Sequence, residues 1–124
     1  MGGLDWRHGP WRVAIAESSM SPALEPGDWV LVDPTVRSWP RRGSIVVVRE
    51  PVSDLLVIKR VVGRPGDAVI ANGTTRRLPP GEAWLMGDAS GSRDSRQYGT
   101  VGLDRLVARA WFRYAPVGRI GRLR

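Results

Sequence analysis

Residues 54–63 read Asp-Leu-Leu-Val-Ile-Lys-Arg-Val-Val-Gly, and these apolar, β-branched side chains predict a β-strand over residues 55–62. Side chains alternate between the faces of a strand, so Leu55, Val57 and Lys59 are expected on one face. Lys59 is the single lysine of a chain with 19 basic residues. A lysine desolvated beside leucine and valine has a lowered pKa and can act as a general base, which arginine cannot. The alternative is a lysine whose ammonium group reaches solvent from a strand edge.

The composition limits the chemistry that the chain can perform. A length of 124 residues with 42% apolar side chains suits one domain with one core. The sequence has no cysteine, so disulfides, thiol nucleophiles and cysteine metal sites are excluded. Its one histidine, His8, lies in a Gly-rich N-terminal segment, which argues against a Ser-His-Asp triad and against a histidine metal site. We expect no cofactor and no metal.

Charge and hydropathy indicate the partners and the compartment. The net charge is +7, but the arginines are scattered without a nucleic-acid-binding motif. We therefore attribute the charge mostly to solubility and expect no nucleic-acid partner. No apolar run approaches the roughly 18–20 residues that cross a bilayer, and the N-terminus lacks the apolar core of a signal peptide. The sequence predicts a cytoplasmic protein without a transmembrane helix.

Short apolar segments between turn signals predict an all-β fold of compact antiparallel sheets or a partly open barrel, with little helix. We expect a flexible lead-in over residues 1–10, one domain over residues 11–115 and a frayed basic tail over residues 116–124. A hairpin is expected across residues 50–54, and Asn72-Gly73 predicts another. The predicted strands are 11–17, 29–32, 44–49, 55–62, 68–71, 82–86 and 106–114, with one helical turn at 103–106.

Two polar segments could complete a site around Lys59. The segment Glu17-Ser18-Ser19-Met20-Ser21-Pro22 follows a predicted strand. A turn there can expose a hydroxyl and leave backbone N–H groups free for an oxyanion, and on chemistry alone any of its three serines could be the nucleophile. A hydroxyl paired with a desolvated lysine is a known nucleophile variant. The loop over residues 87–99 could supply an orienting hydroxyl, or it could be a turn-rich connection with an Asp94–Arg96 ion pair.

These segments together resemble the type I signal peptidase family of serine proteases, in the right order, over about residues 13–114. The resemblance implies the all-β catalytic core of that family. The matching motifs are Ser19-Met20-Ser21-Pro22 for S-M-x-P, Gly27-Asp28 with the strand after it, Arg42-Gly43-Ser44-Ile45-Val46-Val47 for R-G-D-I-V-V with Ser44 in place of Asp, Lys59 to Asp67 for K-R-V-V-G-x-P-G-D, and Gly87-Asp88 with Asp94-Ser95-Arg96 and Gly99 for G-D-N…S-x-D-S-R…G.

The resemblance implies a role for each matched residue. Ser19 would be the nucleophile and would offer its backbone N–H to the oxyanion. Lys59 would be the general base, and Ser92 would orient it through a hydrogen bond. Asp94 and Arg96, together with Arg60, would brace the site as ion pairs. Small residues before the scissile bond would contact pockets lined by Ile15, Met20, Leu24, Val30 and Ile58, and the extended substrate would add as a strand beside residues 13–17.

Three departures from the family pattern stand out. Glu17 occupies the position where many members have Ser or Gly, and a carboxylate is a poor oxyanion donor. Ala89 replaces the Asn of the last motif, which is one residue short before Ser92, so Ser90 is the alternative orienting hydroxyl. Only 18 residues precede Ser19, so we expect no membrane anchor.

With no membrane anchor expected, the chain resembles a short branch of the family, the nickel-type superoxide dismutase maturation proteases, which trim an N-terminal extension. Residues 54–60 and Phe112-Arg113-Tyr114 also resemble that branch. The alternative is a general processing enzyme that contacts membranes peripherally through Trp39 and nearby arginines. Trp39 could equally cover the core.

We expect a serine endopeptidase that removes an N-terminal leader or propeptide after small residues from a precursor protein. Three other classes remain open. One is a self-cleaving domain like that of LexA-type repressors, although no Ala-Gly or Cys-Gly segment precedes Ser19. The second is an inactive peptide-binding module, which Glu17 favours. The third is a nucleic-acid-binding β-barrel, which explains the charge but not the single lysine.

Overall fold

The computed structural model describes residues 12–123, which form mostly short β-strands. The lead-in over residues 1–10 and His8 lie outside the described residues. The strands are β1 Arg12–Ala14, β2 Trp29–Asp33, β3 Ile45–Arg49, β4 Leu56–Gly63, β5 Ala68–Ala71, β6 Thr74–Arg77, β7 Glu82–Met86, β8 Val101–Gly102, β9 Leu106–Ala115 and β10 Gly121–Arg122. The helical segments are α1 Ser95–Tyr98 and 3₁₀ turns at Leu103–Arg105 and Val117–Arg119. The prediction of an all-β fold with little helix is confirmed.

One antiparallel sheet contains eight of these strands. Its order is β1-β2-β9-β3-β4-β7-β8, and β10 pairs with β9 beyond this path. The path does not close into a barrel. β5 and β6 form a separate two-stranded hairpin. β1 ends the path on one side, so its outer edge is not paired with another described strand.

The hairpin of β3 and β4 places Lys59 in the middle of the sheet. Its antiparallel register sets Val46 opposite Lys59, and the turn closes with a 2.8 Å hydrogen bond from the Glu50 N–H to the Leu55 carbonyl. The observed strand β4 starts one residue later than predicted, because Leu55 belongs to the turn and is 47% exposed. The second predicted hairpin is also confirmed: Asn72 and Gly73 both have positive φ, as a two-residue hairpin turn requires.

Both faces of β3 and β4 are buried, because each face packs on its own hydrophobic core. Four consecutive valine and isoleucine residues of β3 are therefore buried, and each contributes about 1.5–3 kcal/mol. The first core contains Val13, Ile15, Met20, Leu24, Val30, Val32, Ile45, Val47, Ile58, Ala108 and Ala110. The second core contains Trp39, Val46, Val48, Val57, Val61, Ala83, Leu85 and Val101. Lys59 alternates with Val57 and Val61, so it lies on the face of the second core.

The structure corrects the expectation of a frayed tail and decides between the two alternatives for Trp39. The tail is not frayed up to Leu123: β10 pairs with β9, and the Leu123 N–H donates to the Trp111 carbonyl at 3.1 Å. Arg119, on the 3₁₀ turn, forms an ion pair with buried Asp28 at 3.1 Å, which anchors the tail. Trp39 is 3% exposed in the second core and its indole N–H donates to the Gly81 carbonyl at 2.9 Å, so it covers the core and is not available to a membrane.

Candidate active site

The turn after β1 presents Ser19 at the surface of the first core. The Ser21 N–H donates to the Ser18 carbonyl at 3.0 Å, and the Leu24 N–H donates to the Met20 carbonyl at 2.9 Å. Met20 and Leu24 are fully buried, and they anchor the turn in the core. Ser19, between these anchored positions, remains half-buried. The local sequence thus places a half-buried serine beside buried apolar anchors.

The Glu17 carboxylate accepts a hydrogen bond from the Ser19 hydroxyl. The Ser19 Oγ donates to Glu17 Oε1 at 3.1 Å. Among the residues that the structure describes, none accepts a hydrogen bond from the Ser19 backbone N–H, so this donor is available to a developing oxyanion. The Ser19 carbonyl accepts the Ala89 N–H at 3.0 Å, which joins the turn to the loop after β7.

Lys59 is a buried lysine without a direct partner. It is 3% exposed, and no described residue forms a hydrogen bond or ion pair with its ammonium group. Burial lowers the pKa of Lys59. The carboxylates of Glu17, Asp94 and Glu50 act in the opposite direction, in decreasing order, without cancelling the effect of burial. The Lys59 amine therefore loses its proton more readily than an exposed lysine.

Asp94 organises the loop between β7 and α1. It is fully buried, and its carboxylate caps α1 by accepting the Arg96 N–H at 3.1 Å. The same carboxylate accepts the Gly87 N–H at 2.9 Å and the Arg96 guanidinium at 2.8 Å. Burial raises the pKa of Asp94, but these hydrogen bonds outweigh it and the net pKa is lowered. Asp94 is thus a fixed negative charge near Lys59.

Ser92 lies against the Ser19 turn, whereas Ser90 is exposed. The Ser92 hydroxyl donates to Asp94 Oδ2 at 3.0 Å. Gly87 makes this approach feasible: a Cβ there would lie 2.3 Å from Ser92 Oγ and 2.6 Å from the Ser19 carbonyl oxygen. The structure therefore brings Ser92 to Ser19 and Asp94, and it leaves the role of Ser92 towards Lys59 a prediction.

The remaining expected site residues fall into two groups. Arg60 forms an ion pair with Asp88 at 2.7 Å, and its guanidinium also donates to the Gly43 carbonyl at 2.7 Å. The five expected pocket residues lie together in the first core and are almost completely buried in this structure, so their contact with substrate stays a prediction. They are Ile15, Met20, Leu24, Val30 and Ile58.

Sequence reasoning missed two buried polar residues of this site. Glu50 is 6% exposed and accepts Arg93 at 3.2 Å, and its charge acts on Lys59. Its signal in the sequence is a carboxylate directly after the buried strand β3. Burial raises the pKa of Tyr98, whose hydroxyl is buried and has no partner among the described residues. No local pattern distinguishes Tyr98 from an exposed helix residue.

Comparisons with known proteins identify a matching family and similar sequences. The sequence profile of the family described as "Signal peptidase, peptidase S26" matches residues 11–75 and 70–115. The chain is 36% identical over 107 residues to the mitochondrial inner membrane protease subunit 1 of Schizosaccharomyces pombe, covering 75% of this chain and 68% of that protein. It is 30% identical over 122 residues to the human protein of the same name, covering 90% of this chain and 74% of that protein.

A signal peptidase I shows a sequence identity similar to that of the human protein. The chain is 29% identical over 143 aligned positions to the signal peptidase I of Leptolyngbya laminosa, covering 88% of this chain and 70% of that protein. In the part of this chain that the structure describes, no helix is both long and apolar enough to span a membrane.

Proposed function

Because the chain belongs to the type I signal peptidase family (peptidase S26) and is a serine-type endopeptidase, we propose that it cleaves leader sequences from precursor proteins with Ser19 as nucleophile and Lys59 as general base. One observation carries the assignment of the base: the single lysine of the chain is 3% exposed, has no partner among the described residues and has a lowered pKa because it is buried. Burying a lysine without an ion partner costs stability, and its neutral amine is suited to accept a proton.

The chemistry needs two proton transfers in acylation and two in deacylation. The neutral Lys59 amine takes the proton from Ser19 Oγ as the oxygen attacks the carbonyl carbon before the scissile bond. The Ser19 N–H, free among the described residues, stabilises the oxyanion of the tetrahedral intermediate. The Lys59 ammonium then gives its proton to the leaving amine, and the acyl group remains on Ser19. A water molecule gives a proton to Lys59 and attacks this ester, and Lys59 then returns the proton to Ser19 Oγ as the acid product leaves.

Glu17 links the two residues of the proposed dyad. Its carboxylate accepts the Ser19 hydroxyl, and among the charges that act on Lys59 it has the largest effect on the pKa after burial. The hydroxyl must rotate from Glu17 towards the amine before attack. The resting contact therefore holds the nucleophile away from its base until substrate enters, which separates this chain from members with Ser or Gly at that position.

Ser92 is proposed to orient Lys59. Its hydroxyl is fixed by Asp94, which is itself fully buried and held by Arg96 and the Gly87 N–H. A hydroxyl held by a buried carboxylate can accept a hydrogen bond from the lysine with its second lone pair. Ser90 is exposed and lacks such support.

The substrate is proposed to bind as an added strand along β1. β1 lies at the end of the sheet path, with its inner edge paired to β2. An extended peptide can use the outer edge for main-chain hydrogen bonds, and this would carry its scissile bond towards the Ser19 turn, five residues after β1 ends. The narrower proposal, maturation of a nickel-type superoxide dismutase precursor, rests on the sequence resemblance of residues 54–60 and 112–114.

The test is cleavage of a library of leader peptides by wild type, Ser19→Ala, Lys59→Arg and the matched control Ser18→Ala. We expect wild-type cleavage after small residues, full activity for Ser18→Ala, and a loss of about 10³-fold or more for the other two variants. Circular dichroism checks that each variant folds. Wild-type protein that binds these peptides without cutting them at any pH contradicts the proposal and leaves the peptide-binding module in its place.

A further inference from the structure

A cavity of about 1140 Å³ opens beside the sheet, away from every residue of the proposed dyad. Its walls come from the end of β2, the start of β3, the middle of β9 and from β10, together with the loop that precedes β3. None of Ser19, Lys59, Ser92 and Asp94 lines it. A ligand in this cavity would therefore bind whether or not Ser19 and Lys59 form a catalytic dyad.

The cavity wall is strongly positive. Four arginines line it, Arg41, Arg42, Arg109 and Arg122, against one carboxylate, Asp33. Arg42 forms a loose ion pair with Asp67 at 3.6 Å. The side chains of the other three arginines form no ion pair with any described residue. Asp33 lies opposite Arg109 in the sheet and interacts electrostatically with it, and its Oδ1 also accepts two hydrogen bonds from Thr35, at 2.9 and 2.6 Å.

Two buried polar atoms in the same wall have no partner. Three side-chain atoms in the described part of the chain are buried without a hydrogen bond, and two of them, Arg109 Nε and Ser44 Oγ, belong to residues of this cavity. Ser44 is 6% exposed. Both atoms are buried from solvent, so a ligand in the cavity would contact the exposed Arg41, Arg42 and Arg122 before these two atoms.

The arrangement of the donors selects the type of anion. Arg41, Arg109 and Arg122 belong to the loop before β3, to β9 and to β10, so three segments of the chain supply guanidinium groups to the cavity. A planar carboxylate satisfies one arginine fork, whereas a tetrahedral phosphate offers oxygens to several arginines at once. Leu31, Trp111 and Leu123 add apolar wall, and the cavity is larger than a phosphate group needs.

We propose that this arginine-lined cavity binds a phosphate ester that carries an apolar group. The same chemistry is found in the headgroup of an anionic lipid and in a free phosphorylated small molecule. The bound phosphate would neutralise part of the +3 charge that four arginines and one aspartate leave at the cavity.

The experiment has two arms and a matched control. Thermal unfolding of wild type, Arg109→Gln, Arg122→Gln and Arg64→Gln is followed with increasing inorganic phosphate, and sodium chloride matches the ionic strength. Arg64 is exposed, lies outside the cavity and loses the same charge in its variant. We expect phosphate to raise the melting temperature of wild type and Arg64→Gln beyond the salt effect. The apparent phosphate affinity of the two cavity variants should fall at least tenfold.

The second arm distinguishes the two sources of phosphate. Vesicles of phosphatidic acid in phosphatidylcholine, and of phosphatidylcholine alone, are sedimented with the same four proteins. Binding to phosphatidic acid that is lost in both cavity variants but kept in Arg64→Gln identifies a lipid headgroup. Phosphate-dependent stabilisation with equal vesicle binding by all four proteins identifies a free phosphate ester.

The proposal is overturned if phosphate adds nothing to the salt effect and the vesicles bind all four proteins equally. It is also overturned if Arg64→Gln weakens binding as much as the cavity variants do. Arg122 is exposed, so Arg122→Gln provides the test even where Arg109→Gln fails to fold.

Discussion

At the scale of single residues, Lys59 is distinguished by what surrounds it. Arginine occupies the other basic positions of this chain, and several of those arginines form ion pairs on the surface. Lys59 instead lies in the second core's face, where burial lowers its pKa and where Glu17, Asp94 and Glu50 provide the opposing charges. The sequence predicted the desolvation correctly from Val57 and Lys59 on one strand face. It could not predict the three carboxylates, because they come from separate parts of the chain.

Glu17→Gln should shift the pH–rate profile towards lower pH. Burial lowers the pKa of Lys59, and the negative charge of Glu17 raises it, so removing that charge lowers the pKa further and leaves the amine neutral at lower pH. The glutamine also releases the Ser19 hydroxyl from its charge-assisted bond. We expect faster cleavage near neutral pH, measured as initial rates from about pH 6 to 10.

Asp104→Asn is the control for this prediction, because it removes an exposed carboxylate outside the site. Its profile should match that of wild type. A Glu17→Gln profile that moves to higher pH, or that loses activity at every pH while the protein stays folded, contradicts the proposed role of Glu17 and gives it a direct part in catalysis.

At the scale of elements, Gly87 sets the distance between the Ser19 turn and the loop of Ser92. Gly87→Ala should reduce cleavage by about tenfold or more, because the new Cβ would overlap Ser92 Oγ and the Ser19 carbonyl oxygen. The overlap also destabilises the fold by about 1–3 kcal/mol. Initial rates and urea denaturation measure the two effects separately.

Gly118→Ala is the matched control, since nothing lies within 4 Å of a Cβ at that position. Its rate and stability should stay close to those of wild type. If Gly87→Ala leaves the rate unchanged, the close contact between the two loops is not needed for activity, and the proposed role of Ser92 is lost with it.

Elements with a local signal were predicted well. β3 and β4 follow from their β-branched runs, and the β5–β6 hairpin follows from Asn72-Gly73, where both residues adopt positive φ. Elements that depend on distant partners were not. Trp39 is held by Gly81, 42 residues away, so its local sequence could not decide between a core-covering residue and a membrane contact. The sequence of β10 has no alternation of apolar and polar residues, so its pairing with β9 could not be predicted.

At the scale of the whole molecule, Asp28 connects the start of the sheet to its end. It is 2% exposed and pairs with Arg119, 91 residues away, and with Arg113 of β9 at 3.4 Å. Burial raises the pKa of Asp28, but the Glu25 N–H and the Arg119 and Arg113 charges outweigh it and lower the pKa overall. The tail is therefore part of the fold.

Asp28→Asn should destabilise the protein by about 1–3 kcal/mol, because it removes one partner of a buried, charge-assisted network. Urea denaturation at neutral pH measures the loss. Because the pKa of Asp28 is lower in the folded state than in the unfolded state, its ionised carboxylate stabilises the fold above the unfolded pKa of about 3.9. This stabilisation is lost as the pH falls through the folded pKa. The difference between wild type and Asp28→Asn should therefore shrink below about pH 4. A difference that is the same in acid as at neutral pH contradicts this account.

The most direct measurement is the titration of Lys59 itself by NMR. Because the chain has one lysine, selective isotope labelling of lysine yields a single side-chain signal that needs no assignment. We predict that Lys59 titrates below the ordinary lysine value of about 10.4, and that the rate of leader-peptide cleavage rises with pH through the same midpoint. A Lys59 midpoint at or above the ordinary value, or a cleavage rate that is independent of pH across it, contradicts a mechanism in which Lys59 is the base.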